Sequence, residues 1–393
     1  MLFACIFMLF IYGNFAATDS ISPDQSIRDG DTLVSAGGAF EVGFFSPGNS
    51  KGRYLGISYK NVFPTTAVWV ANREPPLINH FGVLNVTHEG TLVLLDERNS
   101  RVWSSNKSRT AQNPVLQLLD SGNLVVKDGN DTDLEKALWQ SFDYPFDTLL
   151  PGMKLGKNFV TGQVRSLSTW KSPNNPSPGQ FSASIDPQGF PQLVVREGDE
   201  MHYRVGSWNG LRFTGSPELK ELRLFKYEFQ LTKNEVSYEW KLENPQSSLL
   251  SRLVVNQSGF LQRFARATLP LGWTLIYAAP LDRCDYYAVC GAYASCRTFN
   301  SFTVCACLDG FEPKSPKEWR ASNWSSGCVR KSNLDCRNDD FQRFRGFKLP
   351  DTSNSQFNTS MSLTGAALAQ PTQIQISGME EVDACFGLMS LLI

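Results

Sequence analysis

Alternation of apolar and polar positions is clearest in the middle of the chain. Tyr227, Phe229 and Leu231 fall on one side of an extended run, and Val236, Tyr238, Trp240 and Leu242 on one side of the next. Lys233-Asn234-Glu235 joins them, so the pattern predicts a hairpin with one buried face. Nearer the N-terminus, Ala39–Phe45, Arg53–Tyr59 and Ala67–Val70 are short runs rich in aromatic and β-branched residues, closed by turn signals such as Ser46-Pro47-Gly48-Asn49. Two units then repeat a glycine turn followed by a β-rich run: Gly90–Asp96 and Gly122–Asp128. Strands at such regular spacing predict an all-β barrel or prism rather than alternating strands and helices. The proline-rich stretch Ser172–Gly179 reads as a turn or short linker.

Composition narrows the class. The 393 residues suffice for two to four domains, and 41% hydrophobic content is that of ordinary globular protein. Lys plus Arg (37) nearly cancels Asp plus Glu (38), which gives no electrostatic reason to expect nucleic acid or an anionic membrane as partner. Met1–Tyr12 is almost wholly apolar but too short for a spanning helix, which needs about 20 residues. With Ala16 and Ala17 behind it, the segment reads as a signal peptide over residues 1–17. Cys284, Cys290, Cys296, Cys305, Cys307 and Cys328 cluster late in the chain, the mark of a small disulfide-stapled module in a secreted protein. Spacing alone leaves 15 pairings open. Zinc is disfavoured, because Cys305-x-Cys307 is too tight for a zinc pair and His80, His88 and His202 are all remote. Neither metal nor cofactor is expected. N-x-S/T sequons at Asn85, Asn106, Asn130, Asn256, Asn323 and Asn358 are candidate glycosylation sites.

Several long motifs occur in one order: Val68–Glu74 (VWVANRE), Leu118–Val126 (LLDSGNLVV), Leu138–Gly156 (LWQSFDYPFDTLLPGMKLG), Trp208–Gly215 (WNGLRFTG), the cysteine cluster, and Gly346–Ser353 (GFKLPDTS). Together they resemble the ectodomain of plant S-domain receptor-like kinases and S-locus glycoproteins. The resemblance implies an all-β chain of tandem bulb-lectin-type β-prisms, then an EGF-like module and a truncated PAN/apple-like tail. The implied boundaries are 18–145 for the bulb-type domain, 146–280 for the S-locus glycoprotein domain, 281–330 for the EGF-like module and 331–393 for the tail. It also implies the pairing Cys284–Cys296, Cys290–Cys305 and Cys307–Cys328. In the tail, Thr364–Ile393 keeps only Cys385 and departs from a PAN domain; a deletion with a frameshift, or a splice variant, accounts for that, and leaves Cys336 without its usual partners.

Bulb lectins hold mannose on a Gln-x-Asp-x-Asn-x-Val-x-Tyr strand, where amide and carboxylate groups meet the sugar hydroxyls. The equivalent positions here are Leu119, Ser121, Asn123, Val125 and Lys127, so only Asn123 and Val125 survive. The repeat near Gly90 offers Thr87, Glu89, Thr91, Val93 and Leu95 and keeps only the valine. Each polar partner lost removes about 1–3 kcal/mol of binding, so Asn123 and Val125 are expected to serve turn and core. Of the enzyme signatures, H-E-x-x-H and the kinase motifs are missing. Asp143 and Asp147 could be cast as a glycosidase pair, but turn capping beside aromatic residues is the plainer reading. The expected function is non-catalytic extracellular recognition of a peptide, protein or glycan ligand, with pollen recognition or microbial sensing as the setting. Pairing with itself or with related receptors belongs to that expectation. The alternatives are a secreted mannose-type lectin in defence, or a receptor fragment without function.

Overall fold

The computed structural model describes residues 18–106, 109–129, 131–216, 224–244, 248–266, 272–333, 348 and 350–353. The expected signal segment, Asn130, Asn358, Cys336, Cys385 and the tail from Thr364 lie outside them. The chain divides into two compact units. The first takes the described residues through Phe45 together with Lys51–Ala67 and Pro75–Gln140; the second takes Ser46–Ser50, Val68–Glu74 and the described residues from Ser141 onward.

Antiparallel sheets build the first unit. One runs in the order Ser20–Ile21, Pro114–Leu118, Leu124–Asp128, Trp139–Gln140, and a second in the order Ser26–Arg28, Val83–Val86, Leu92–Leu95, Arg101–Ser104. A third contains Thr32–Val34, Phe40–Phe45 and Tyr54–Tyr59. Each sheet turns alternate apolar residues inward: Leu116 and Leu118 with Leu124 and Val126, Leu84 and Val86 with Leu92 and Leu94, Val42 with Ile57, all buried.

The two glycine repeats seen in the sequence are the same hairpin return. Thr87 N–H donates to the Thr91 carbonyl and Gly90 N–H to the Thr87 carbonyl; Leu119, Gly122 and Asn123 repeat those bonds. Gly90 sits at φ +84° and Gly122 at φ +83°, the left-handed residue that follows a type I turn and adds a bulge to the ladder. At Gly90 a Cβ would also stand 2.6 Å from the Leu138 side chain, so glycine is needed twice over.

Among its described residues the second unit contains three four-stranded antiparallel sheets. Their orders are Thr148–Leu149, Leu250–Val255, Leu261–Arg266, Thr274–Ala279; Val164–Arg165, Lys154–Asn158, Glu235–Leu242, Phe225–Leu231; and Leu167–Ser172, Asn175–Asp186, Gln192–Glu197, Glu200–Ser207. The predicted hairpin is present, with Tyr227 opposite Trp240 and Phe229 opposite Tyr238. Val236, Tyr238 and Trp240 are buried, while Leu231 at the hairpin's end is 39% exposed. The return at Asn256, Gly259 and Phe260 repeats the bonds of the first unit's returns.

Ser172–Gly179 is not a linker. Only Pro173-Asn174 turns the chain, and Asn175–Asp186 is a twelve-residue strand. Pro178 faces Trp170 where the register shifts, so its missing N–H leaves no ladder bond unmade. Arg73 fixes this arm: its Nε donates to the Pro176 carbonyl at 2.7 Å, its Nη1 to Ser168 Oγ at 2.7 Å, and its guanidinium lies 4.0 Å from the Phe146 ring centre.

After the sheets come a short hairpin, Ala294–Phe299 with Phe302–Cys307, and a second antiparallel pair, Phe311–Pro313 with Cys328–Arg330, whose strands are separated by the helix Pro316–Arg320. Disulfides join Cys284 to Cys296, Cys290 to Cys305 and Cys307 to Cys328. A module this small has little core of its own, and the crosslinks restrict its unfolded chain instead. Further on, Asp351 accepts from Gln192 Nε2 at 2.7 Å and from the Tyr287 hydroxyl at 2.8 Å, which ties the module to the sheets. Buried Thr352 donates to the Phe190 carbonyl at 2.6 Å and completes that tie.

A guanidinium sits in the core of the second unit. Arg263 is 1% exposed, and its guanidinium lies 4.1 Å from the centre of the Trp240 ring and 4.7 Å from that of Phe225. Its Nε and Nη1 have no hydrogen-bond partner among the described residues. Packing among aromatic faces thus does most of what this side chain contributes. Arg263→Ala should lower unfolding stability by about 2–5 kcal/mol by leaving a hole among the rings. Arg263→Met should stay within roughly 1.5 kcal/mol of the parent. Guanidinium unfolding midpoints of the two variants check this; a Met variant as damaged as the Ala variant would show that the charge itself is required.

Candidate functional site

The strand Leu124–Asp128 and the turn before it hold Asn123 and Val125, the positions that the sequence resemblance aligns with a bulb-lectin sugar strand. Asn123 is 2% exposed and Val125 fully buried. Asn123 Nδ2 donates to Gln140 Oε1 at 2.9 Å, and the Asn123 N–H faces Ser121 Oγ at 3.3 Å. Val125 is flanked by Gln117 and Gln140 in the strands on either side. A sugar hydroxyl would have to displace Gln140 to reach the Asn123 amide, and would then leave a buried polar group without its partner. Around them, Leu119 and Lys127 are partly buried and Ser121 is exposed. In the Gly90 repeat, Thr87 Oγ1 accepts from the Thr91 N–H at 3.0 Å, so that hydroxyl too closes a turn. Gln140 escaped notice in the sequence because it lies a full turn and strand away from the Asn123 motif. The one available signal was its place beside Trp139, whose ring packs edge-on to Trp103 at 6.0 Å.

The sulfurs of Cys290, Cys296 and Cys305 lie within 4.8 Å of one another, but each is already in a disulfide and offers no thiolate to a metal. Of the sequons, Asn106 and Asn323 are exposed. Asn85 is partly buried in the ladder between Ser26 and Val93. Asn256 is committed to its turn: its Oδ1 accepts from the N–H groups of Ser258 and Phe260, and its Nδ2 donates to Gln262.

Asp143 and Asp147 are each held by structure. Arg165 binds Asp143 at 2.8 Å. Asp147 accepts from the Thr148 hydroxyl at 2.8 Å, and its carbonyl accepts from the Val255 N–H. Burial drives the Asp147 carboxyl up to about 6, opposed only in part by Thr148, Arg252 and Arg73. A raised carboxyl in a cleft would suggest an acid catalyst; here the raised group lies between two sheets beside cations that the fold itself uses.

Comparison with known proteins places this geometry in context. Residues 66–171 match the D-mannose binding lectin family and residues 203–315 the S-locus glycoprotein domain family. The S-locus-specific glycoprotein S6 of Brassica oleracea is 39% identical over 362 residues, covering 91% of this chain and 82% of that protein. The chain belongs to the S-locus glycoprotein family. It is also 45% identical to the Arabidopsis thaliana G-type lectin S-receptor-like serine/threonine-protein kinase SD1-1 and 40% identical to the receptor-like kinase SD1-8, over 88% and 92% of this chain. It spans only 43% and 42% of those two proteins, taking in the lectin and S-locus glycoprotein domains and not the kinase. Among solved structures, the snowdrop bulb agglutinin with methyl α-D-mannoside is 17% identical over 29% of the chain and 94% of its own, at a TM-score of 0.23. A monomeric mannose-binding lectin of Gastrodia elata is 22% identical over 32% of the chain and 96% of its own, at a TM-score of 0.25.

The Asp147 environment has a pH signature. Its carboxyl rises from 3.8 to about 6 in the folded protein, so the folded state holds the proton more tightly than the unfolded chain. That contribution to stability is complete below about pH 4 and lost as pH rises through about 6. Asp147→Asn removes the slope: relative to the parent it should gain stability between roughly pH 4 and pH 7, by up to about 3 kcal/mol. Urea unfolding of both proteins across this range checks it, and a difference that does not change with pH would refute it.

Proposed function

We propose that this chain is a non-catalytic extracellular recognition module, and that it works through surfaces other than the bulb-lectin sugar strand. The observation that supports this best is the Asn123 amide, buried and bonded to Gln140, next to positions where Leu119 and Ser121 have replaced the sugar-binding Gln and Asp. A strand in that state holds the fold and offers little to a hydroxyl.

The three disulfides fit an oxidising compartment outside the cytosol. Among the described residues no helix is long and apolar enough to cross a membrane. The S-domain receptor kinases and S-locus glycoproteins among the relatives support a role in extracellular recognition, with a peptide, protein or glycan as ligand. Pairing with a related receptor ectodomain is part of this reading. Within it, the six cluster cysteines are structural and the exposed Asn106 and Asn323 are the sequons best placed to carry glycans.

Two measurements test the reading. Surface plasmon resonance between the secreted chain and the ectodomain of a related S-domain receptor should show micromolar or tighter association that added mannose leaves unchanged; no association would count against receptor pairing. Calorimetric titration with methyl α-mannoside should give the same weak or absent signal for the parent and for Ser121→Ala. Micromolar mannose binding that Ser121→Ala abolishes would instead make the protein a mannose lectin of the bulb type.

A further inference from the structure

The first unit contains a cleft of 320 Å³ lined by Arg28, Asp29, His80–Val83, Asp96, Glu97 and Asn99. That lies at the lower end of the about 300–1,000 Å³ range of small-ligand sites. None of the positions that correspond to the sugar strand lines it: Thr87, Glu89, Thr91, Val93 and Leu95 stay outside, as do Leu119–Lys127.

The floor of the cleft is preorganised. The Asp29 side chain is 6% exposed, yet it binds the Arg53 guanidinium through both oxygens and accepts from His80 Nδ1 at 3.0 Å. Burial by itself would raise this carboxyl, but Arg53 and His80 outweigh it and hold it below the usual range. An ionised Asp29 fixes the imidazole through Nδ1, which leaves Nε2 as the ring nitrogen it does not engage. On the rim, Asn79 Nδ2 donates to Glu97 Oε2 at 2.7 Å and so positions that carboxylate. Asp96 Oδ1 accepts from the N–H groups of Arg98 and Ser100 at 2.8 Å, which sets the turn that carries Asn99 at φ +58°. Phe81 lines the cleft beside these groups and is 65% exposed, so its ring is accessible to a ligand.

We propose that this cleft is a binding site for a neutral saccharide unit, with Phe81 as the face on which the sugar ring lies and His80, Asp96, Glu97 and Asn99 as partners of its hydroxyls. The chemistry of the lining selects this ligand class. A sugar hydroxyl both donates and accepts, and the cleft offers carboxylate and carbonyl acceptors interleaved with amide, imidazole and guanidinium groups. A basic peptide side chain would meet Arg28, and a phosphate or acidic peptide would meet Asp96 and Glu97; a neutral polyol meets neither penalty. The apolar face of a pyranose would cover the ring of Phe81. The site is separate from the sugar strand, so it would keep carbohydrate recognition in a unit whose Asn123 is sealed.

Saturation-transfer NMR on the secreted chain tests this, with the methyl glycosides of mannose, glucose, galactose and N-acetylglucosamine as probes. At least one should receive saturation at millimolar concentration. Phe81→Ala and Glu97→Gln, both at exposed side chains, should each weaken that ligand roughly fivefold or more with an unchanged circular dichroism spectrum. Ser121→Ala should leave it unchanged. If no glycoside receives saturation, or if binding survives both cleft variants, the cleft proposal falls and the sealed sugar strand is untouched. If Ser121→Ala abolishes binding while the cleft variants retain it, both readings fail, because the ligand then lies on the strand.

Discussion

A tight return that joins the two inner strands of a four-stranded sheet, and still delivers the next strand in register, is the constraint on which this protein depends. The return is solved the same way at Thr87–Thr91, Leu119–Asn123 and Asn256–Phe260, with two backbone bonds and a left-handed glycine. A register slip of one residue would turn Leu116, Leu124 and Val126 outward and their polar neighbours inward. The glycine at each return is therefore as necessary to the core as the leucines are. At Gly259, a Cβ would stand 2.7 Å from the Phe181 ring, so conformation and packing again require the same residue.

That constraint has a consequence for recognition. The return at Leu119–Asn123 delivers Asn123 to the head of the strand that the sequence resemblance aligns with a bulb-lectin sugar strand, and its amide bonds to Gln140. Once Leu119 and Ser121 stand where Gln and Asp would project, the strand has apolar contact and internal hydrogen bonds but few free hydroxyl partners. A fold can host more than one function on one scaffold, and the proposed saccharide cleft would place the chemistry away from this strand. The Asp29–His80 cleft is built from the turns of the same unit, where residues can change without disturbing the inward-facing ladder.

Much of this was legible in the sequence, for physical reasons. The paired glycine repeats and the Tyr227/Trp240 alternation are local patterns, and strands of period two announce themselves. Other features depend on partners far along the chain. Ser172–Gly179 looks like a linker because prolines break ladders, but a register shift opposite Trp170 and the grip of Arg73 let it run on as a strand. Arg263 shares its strand face with the buried Leu261 and Ala265, but nothing in the local pattern marks a guanidinium as a core residue. Only the rings of Trp240 and Phe225 explain why a guanidinium is tolerated there. The cleft was illegible because Asp29, His80 and Glu97 are unremarkable polar residues until the sheet brings their turns together.

The central claim is that Asn123 belongs to the fold and not to a ligand. Amide proton exchange of the Asn123 side chain, followed by NMR with and without methyl α-mannoside, addresses it directly. Held by Gln140 Oε1, the Nδ2 group should exchange slowly, and its shifts should not move when the sugar is added. Fast exchange in the free protein, together with slowing and a shift on sugar addition, would contradict it.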